Sequence, residues 1–110
     1  MKPQLEQILT EVQKAQKELN QALLAGNKPQ RSQQEQDRID AAVNKRSYWL
    51  NTFCSNPQHQ DLLLGLAQAN IRLEIAKISY SQDTGIPNQV RLGLAQRQVR
   101  SLEELLQESL

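Results

Sequence analysis

Residues 62–80 carry apolar side chains at helical spacing in two stripes rather than one. At about 100° per residue, the first stripe contains Leu62, Leu66, Ala69, Leu73, Ala76 and Tyr80. The second stripe lies nearly opposite and contains Leu64, Ala67, Ile71, Ile75 and Ile78. Two polar seams separate the stripes, one with Gln68, Arg72 and Ser79, the other with Asn70, Glu74, Lys77 and Ser81. Because a helix on one side of a core needs a single stripe, this segment is predicted to be covered from both sides.

Three further segments show one apolar stripe each and complete a prediction of four helices. Residues 4–25 and 88–109 repeat apolar positions every three and four residues, a heptad spacing typical of coiled coils and bundles. Residues 33–54 follow Ser32 with the sequence of a capping box. With the two-striped helix at 57–81, the predicted fold class is all-α. It is a four-helix up-and-down bundle, or long helical hairpins with coiled-coil-like packing.

Length and composition agree with one helical domain over residues 1–110. Hydrophobic residues make up 38% of the chain and aromatic residues only 4%, and the remainder is rich in good helix formers such as Gln, Glu and Lys. One local conflict concerns residues 71–75, where apolar and charged residues alternate with the period of a β-strand. No convincing partner strand exists elsewhere, so the prediction for residues 71–75 remains helix.

The charge balance and the single cysteine set expectations for partners and compartment. The net charge is +1, from 13 Lys and Arg against 12 Asp and Glu, which gives no general attraction to an anionic membrane. No run approaches the ~18 apolar residues of a membrane span, and the residues after Met1 lack the apolar run of a signal peptide. Because a lone Cys54 excludes an internal disulfide, we expect a cytoplasmic protein.

No catalytic, metal or cofactor signature stands out in the sequence. Cys54 and His59 are the single residues of their types, and they lie on either side of a predicted helix break, where Asn56 caps the next helix and Pro57 begins it. Zinc sites use three or four such ligands, and di-metal bundles use carboxylates from several helices. The sequence therefore predicts a non-enzymatic protein without metal or cofactor.

A cationic group on the second helix suggests an alternative function. The candidate nucleic-acid contacts are Arg38, Lys45, Arg46 and Tyr48, since basic side chains neutralise phosphates and an exposed ring stacks on a base. Acidic residues interleave with them, and the pI near 7.9 is below the usual basic footprint. The alternative is a small nucleic-acid-binding or regulatory accessory protein.

The second stripe is the predicted surface for a partner. In this interpretation Leu66, Leu73 and Tyr80 face the core of the chain itself, and the protein interface contains Ile71, Ile75, Ile78, Leu94 and Leu105. The predicted function is a helical assembly or adaptor protein that self-associates, with a dimer favoured, and binds a protein partner through apolar helix faces. An alternative within the same fold is that residues 4–25 detach and pair with a coiled coil of a partner.

Residues 88–109 separate their charges by sign. The first half contains Arg91, Arg97 and Arg100, and the second half contains Glu103, Glu104 and Glu108. This order opposes the helix dipole. Antiparallel pairing with the same helix of a second copy would set the basic half against the acidic half. The alternative is an ordinary solvated face whose charges segregate without consequence.

Overall fold

The computed structural model describes residues 4–54 and 56–108, apart from the side chain of Phe53. These residues form four helices, α1 Leu5–Ala25, α2 Gln33–Phe53, α3 Pro57–Gln82 and α4 Ile86–Glu108. The predicted all-α fold is confirmed, and residues 71–75 are helical within α3. Residue 109, the predicted end of the fourth helix, lies outside the described residues.

Both predicted helix caps are present at the starts of α2 and α3. The Ser32 hydroxyl accepts a hydrogen bond from the Glu35 N–H at 3.1 Å, and the Glu35 carboxylate accepts one from the Ser32 N–H at 3.1 Å. The Asn56 side chain accepts from the Gln58 N–H at 2.9 Å, and Pro57 occupies the first helical position. These local bonds fix where the two helices begin, because they satisfy backbone donors that the helix itself leaves free.

α4 begins at Ile86, two residues earlier than predicted. The Asp83 carboxylate accepts a hydrogen bond from the Gly85 N–H at 2.9 Å, which closes the turn. The Gly85 carbonyl then accepts from the Asn88 N–H at 3.1 Å. Pro87 therefore lies inside the first turn, where a helix does not need the N–H that proline lacks.

The helices form two hairpins, α1–α2 and α3–α4, which are joined along α1 and α3. α1 lies in the middle, with α2 on one side and α3 on the other, and α4 packs on α3. Three polar contacts link α1 to α3: Gln13 bonds to Asn70 at 3.2 Å and to Glu74 at 3.4 Å, and Lys17 forms a 2.7 Å ion pair with Glu74. α1 is therefore an interior element of this fold.

The core is concentrated at one end of the molecule. The main cluster draws buried residues from all four helices: Ile8, Val12, Leu50, Cys54, Leu63, Leu66, Ala67, Ala69, Val99 and Leu106. A smaller cluster joins only α1 and α2: Leu19, Ala22, Ile39 and Ala42. The four helices thus share a core where α1 and α3 begin and α2 and α4 end.

The shape is flat and open for a chain of this size. The principal extents are 42 × 41 × 21 Å and the radius of gyration is 15.8 Å, against about 13 Å for a compact domain of this length. The exposed surface is 7699 Å², whereas a compact monomer of 12.6 kDa exposes about 6,200 Å². The protomer therefore exposes surface that a closed bundle would bury.

Candidate protein interface on α3 and α4

The two stripes of α3 are buried to different extents in its two halves. In the first half, Leu66 and Ala67 represent the two stripes and both are buried. In the second half, Ala76 of the first stripe is still buried, whereas Ile75 and Ile78 of the second stripe are each 59% exposed. Within the protomer, Ile75 and Ile78 of the second stripe therefore lack cover, and the predicted coverage of the second half of α3 from both sides depends on a partner.

α1 and α4 approach α3 along its polar seams. Asn70 and Glu74 of one seam bond to α1, and Arg72 of the other donates to the Gln98 side chain of α4 at 3.5 Å. Leu63, which belongs to neither stripe, is fully buried in the main core. Its burial was not predicted from the sequence, because Leu63 lies on the seam that α1 covers, and apolar spacing alone does not reveal a neighbouring helix there.

Four of the five predicted interface residues are exposed, and the fifth is buried. Ile75, Ile78, Leu94 and Leu105 are exposed by 59%, 59%, 58% and 49%. Ile71 is only 8% exposed, and the adjacent Asn70 bonds to Gln13 of α1. Ile71 of the predicted interface is therefore largely covered within the protomer itself. We define the α3–α4 face by its four exposed residues, Ile75, Ile78, Leu94 and Leu105.

A groove of about 500 Å³ runs between α3 and α4 within this face. It is lined by Arg72, Ile75, Ala76, Ser79, Arg91, Leu94, Ala95 and Gln98. Ala76 and Ala95 are small and at least half-buried, and the larger side chains of Ile75 and Leu94 also line the groove. Its walls are apolar, and its lining includes two arginines. Such a groove fits an apolar side chain flanked by carboxylates.

The charged residues of α4 make no ion pair among the described residues. All six are exposed: Arg91, Arg97, Arg100, Glu103, Glu104 and Glu108. The ion pairs in the described part of the chain involve other segments: Glu11–Lys14, Lys17–Glu74, Lys28–Glu35 and Glu18–Lys45. The predicted separation of charge along α4 therefore lies on open surface.

The candidate nucleic-acid contacts do not form one cationic face. Arg46 is half-buried and donates to the Gln16 side chain at 2.8 Å. Lys45 lies 3.5 Å from the Glu18 carboxylate. Arg38 and Tyr48 are exposed, but ten residues of helix separate them by about 15 Å. The geometry directs Arg46 towards α1, so this group gives little support to the alternative function.

Gln16 is a buried polar residue that the sequence analysis did not single out. It is 6% exposed, accepts from Arg46 of α2 and donates to the Asn20 side chain at 3.0 Å. The signal for it was Arg46 itself, a charged residue within the apolar stripe of α2, which requires a polar neighbour. The pair Gln16–Arg46 links the two helices of the first hairpin.

Cys54 lies in the main core rather than on a reactive surface. Its thiol donates to the Asn56 carbonyl at 3.8 Å. Burial raises the pKa of the Cys54 thiol, which is the opposite of the lowered pKa that activates a nucleophilic cysteine. Within residues 4–54 and 56–108, no three His, Cys, Asp or Glu side chains cluster in a way that could hold a metal ion.

Comparisons with known proteins give no relationship for this chain. No family model, no curated protein and no solved structure matches it. Over the described residues, none of the helices combines the length and the apolar character that crossing a bilayer requires. The exposed apolar residues of the α3–α4 face and the charges of α4 are the surface features that bear on function.

Proposed function

We propose that this protein is a non-enzymatic assembly protein that forms a dimer through the α3–α4 face. The observation that supports this most directly is the exposure of four large apolar residues on two adjacent helices, at 49% to 59% each. Large apolar side chains exposed together on adjacent helices are a feature of protein–protein interaction sites. Val90 is 53% exposed and Ile86 is 74% exposed on α4, and they extend the apolar surface.

A second copy of the chain is the occupant that the surface chemistry favours. α4 offers separated basic and acidic residues that make no ion pair within the described part of the protomer, and an antiparallel copy supplies the complementary order. The exposed area exceeds that of a compact monomer by about 1,500 Å². A standard interface buries about 800 Å² on each partner, so the excess is sufficient for one dimer contact.

The adaptor part of the proposal follows from dimerisation. When α3 and α4 are occupied by the second copy, the outer surfaces of α1 and α2 remain available twice in each dimer. Two identical sites on one particle raise the avidity for a protein partner that also presents two sites. A cytoplasmic location, indicated by the single Cys54, belongs to the same proposal.

The proposal is tested by measuring the mass of the protein in solution. Wild-type protein is expected to have twice the 12.6 kDa chain mass by light scattering. Ile75→Glu places a carboxylate in the centre of the α3–α4 face and is expected to give a monomer with unchanged helicity by circular dichroism, because Ile75 is not in the protomer core.

Lys77→Glu is the matched control for this experiment. It introduces the same side chain in the same turn of α3, about 200° around the helix from Ile75, and Lys77 is likewise exposed. The Lys77→Glu protein is expected to remain dimeric. A monomeric wild type at 100 μM, or a dimer that survives Ile75→Glu, would contradict the proposed function.

A further inference from the structure

One exposed face of α4, here named the mirror-image face, has residue types arranged symmetrically about its midpoint, with charges of opposite sign at its two ends. Its positions are spaced by three, four, three, four and three residues, and all are exposed: Arg91, Leu94, Gln98, Ser101, Leu105 and Glu108. At about 100° per residue these positions fall within a single arc of about 100°. A cation, a leucine and an uncharged polar residue are followed by an uncharged polar residue, a leucine and an anion. The midpoint lies between Val99 and Arg100.

We infer that two copies pair their α4 helices antiparallel about a two-fold axis at this midpoint, an inference that rests on the proposed function. In this register Leu94 packs against Leu105 of the second copy, and Arg91 meets its Glu108. Gln98 lies opposite Ser101 of the second copy. Each contact occurs twice, as an isologous interface requires. The seam extends over 17 residues, or about 25 Å.

The groove between α3 and α4 supports the same register. Arg91, Leu94 and Gln98, the first three residues of the mirror-image face, line this groove. Leu105 of the second copy therefore enters between Leu94 and Ile75. This assigns a role to the exposed Ile75, which α4 of the same protomer leaves uncovered. The half-exposed Leu105 of the first copy enters the equivalent groove of the second.

A flanking charge pair adds to the specificity of this register. Arg97 and Glu104 both lie one position before a seam residue, which corresponds to the g position of a heptad. In an antiparallel pair these flanking positions face each other, so Arg97 lies next to Glu104 of the second copy. Neither residue makes an ion pair among the described residues of its own protomer.

Other registers lose the matched contacts. A parallel pair sets Arg91 against Arg91 and Glu108 against Glu108, and like charges repel. An antiparallel pair shifted by one heptad places Leu94 against Gln98 of the second copy and removes the leucine layers. The antiparallel register centred between residues 99 and 100 is thus the one that matches both apolar layers and both charge pairs.

Mixed cysteine cross-linking tests the register. Arg91→Cys protein and Glu108→Cys protein are oxidised separately and as a mixture, and light scattering is recorded on each sample and on wild type. The mixture is expected to give a disulfide-linked dimer and each variant alone is expected to give none. The reason is that residues 91 of the two copies are about 25 Å apart in this register, far beyond the Cα separation of a disulfide. Wild type controls for the buried Cys54.

The outcomes separate the register from the proposed function. Dimers that cross-link when either variant is alone would indicate a parallel pair and overturn the register. Dimers that do not cross-link in the mixture would also overturn the register while leaving self-association in place. Monomers in every sample, wild type included, would overturn both.

Exchanging the charges at positions 91 and 108 is a second test of the register, and it does not require the cysteine variants to remain dimeric. Arg91→Glu and Glu108→Arg are each expected to weaken dimerisation roughly 2- to 30-fold, because each removes two exposed ion pairs per dimer. The double variant Arg91→Glu/Glu108→Arg restores opposite charges across the axis and is expected to recover wild-type affinity in sedimentation equilibrium. A double variant weaker than both single variants would overturn the register.

Discussion

The two halves of α3 have the same two-striped sequence pattern but different surroundings. In the first half, Leu63, Leu66 and Ala67 are buried in a core to which all four helices contribute. In the second half, Ile75 and Ile78 are exposed. An apolar stripe therefore predicts that a surface must be buried, but it does not predict what buries it. That depends on which helices pack beside the stripe.

The division between the two halves coincides with the end of the polar contacts between α1 and α3. Lys17 and Glu74 form the last of these contacts along both helices. Beyond Lys17, α1 buries Leu19 and Ala22 against α2 instead. α3 continues past Glu74 with α4 as its neighbour, and the α3–α4 face begins there. The predictions below probe this division, from the largest expected effect to the smallest.

The largest expected effect is the loss of a core side chain from the first half of α3. Leu63→Ala is expected to lower the free energy of unfolding by about 2–5 kcal/mol, since it removes buried methyl groups and leaves a cavity. Urea denaturation followed by circular dichroism measures this change. The Ile75→Glu background is used, so that dissociation of a dimer does not contribute to the measured stability.

Ile78→Ala in the same background is the comparison for the second half of α3. Ile78 is 59% exposed, and exposed substitutions usually change stability by less than about 0.5 kcal/mol. Equal losses for Leu63→Ala and Ile78→Ala would contradict the division of α3 into a covered and an uncovered half.

A smaller effect is expected at the polar link between α1 and α2, next to the last contact of α1 with α3. Gln16→Ala removes the acceptor of the half-buried Arg46 and is expected to lower stability by about 1–3 kcal/mol, because a donor is left unsatisfied. Gln7→Ala changes the same residue type at an exposed position of α1 and should be nearly neutral in urea denaturation. If Gln7→Ala lowered the stability as much as Gln16→Ala, the loss would come from replacing glutamine by alanine in α1 and not from the missing bond to Arg46.

The smallest effect is expected at the ion pair that marks the division itself. Lys17 and Glu74 are 2.7 Å apart but about half-exposed. A double-mutant cycle with Lys17→Ala and Glu74→Ala should give a coupling of about 0.2–1 kcal/mol. The coupling should decrease in 1 M NaCl, where exposed charges are screened. A coupling above this range that is insensitive to salt would mean that the pair is shielded from solvent.

The starts of helices could be predicted because their signals are local. Ser32 with Glu35 and Asn56 with Pro57 satisfy backbone donors within a few residues, and the structure has both helix starts at those positions. The start of α4 was predicted two residues late, because a proline such as Pro87 is compatible with a turn as well as with the first turn of a helix. Apolar spacing likewise predicted much of the core, such as Leu66 and Val99.

Of the predicted interface residues, Ile75, Ile78, Leu94 and Leu105 are exposed, whereas Ile71 is buried. Ile71 and Ile75 are equivalent in the sequence, since both are β-branched residues of the second stripe one turn apart. Ile71 is nevertheless buried and Ile75 exposed, although the residues directly before them, Asn70 and Glu74, both bond to α1. The apolar spacing within α3 does not show which of its positions a neighbouring helix will cover.

By itself, the sequence determined that this protein is built of four helices, where most of them begin, and which residues require cover from water. Those features depend on capping bonds and on a repeat of 3.6 residues, which neighbouring residues establish together. The tertiary structure alone decided that α1 and α4 approach α3 along its polar seams, that Leu63 is buried and Ile75 exposed, and that Arg46 turns towards Gln16. These outcomes depend on contacts between residues far apart in the chain, and such contacts exist only once the helices have packed.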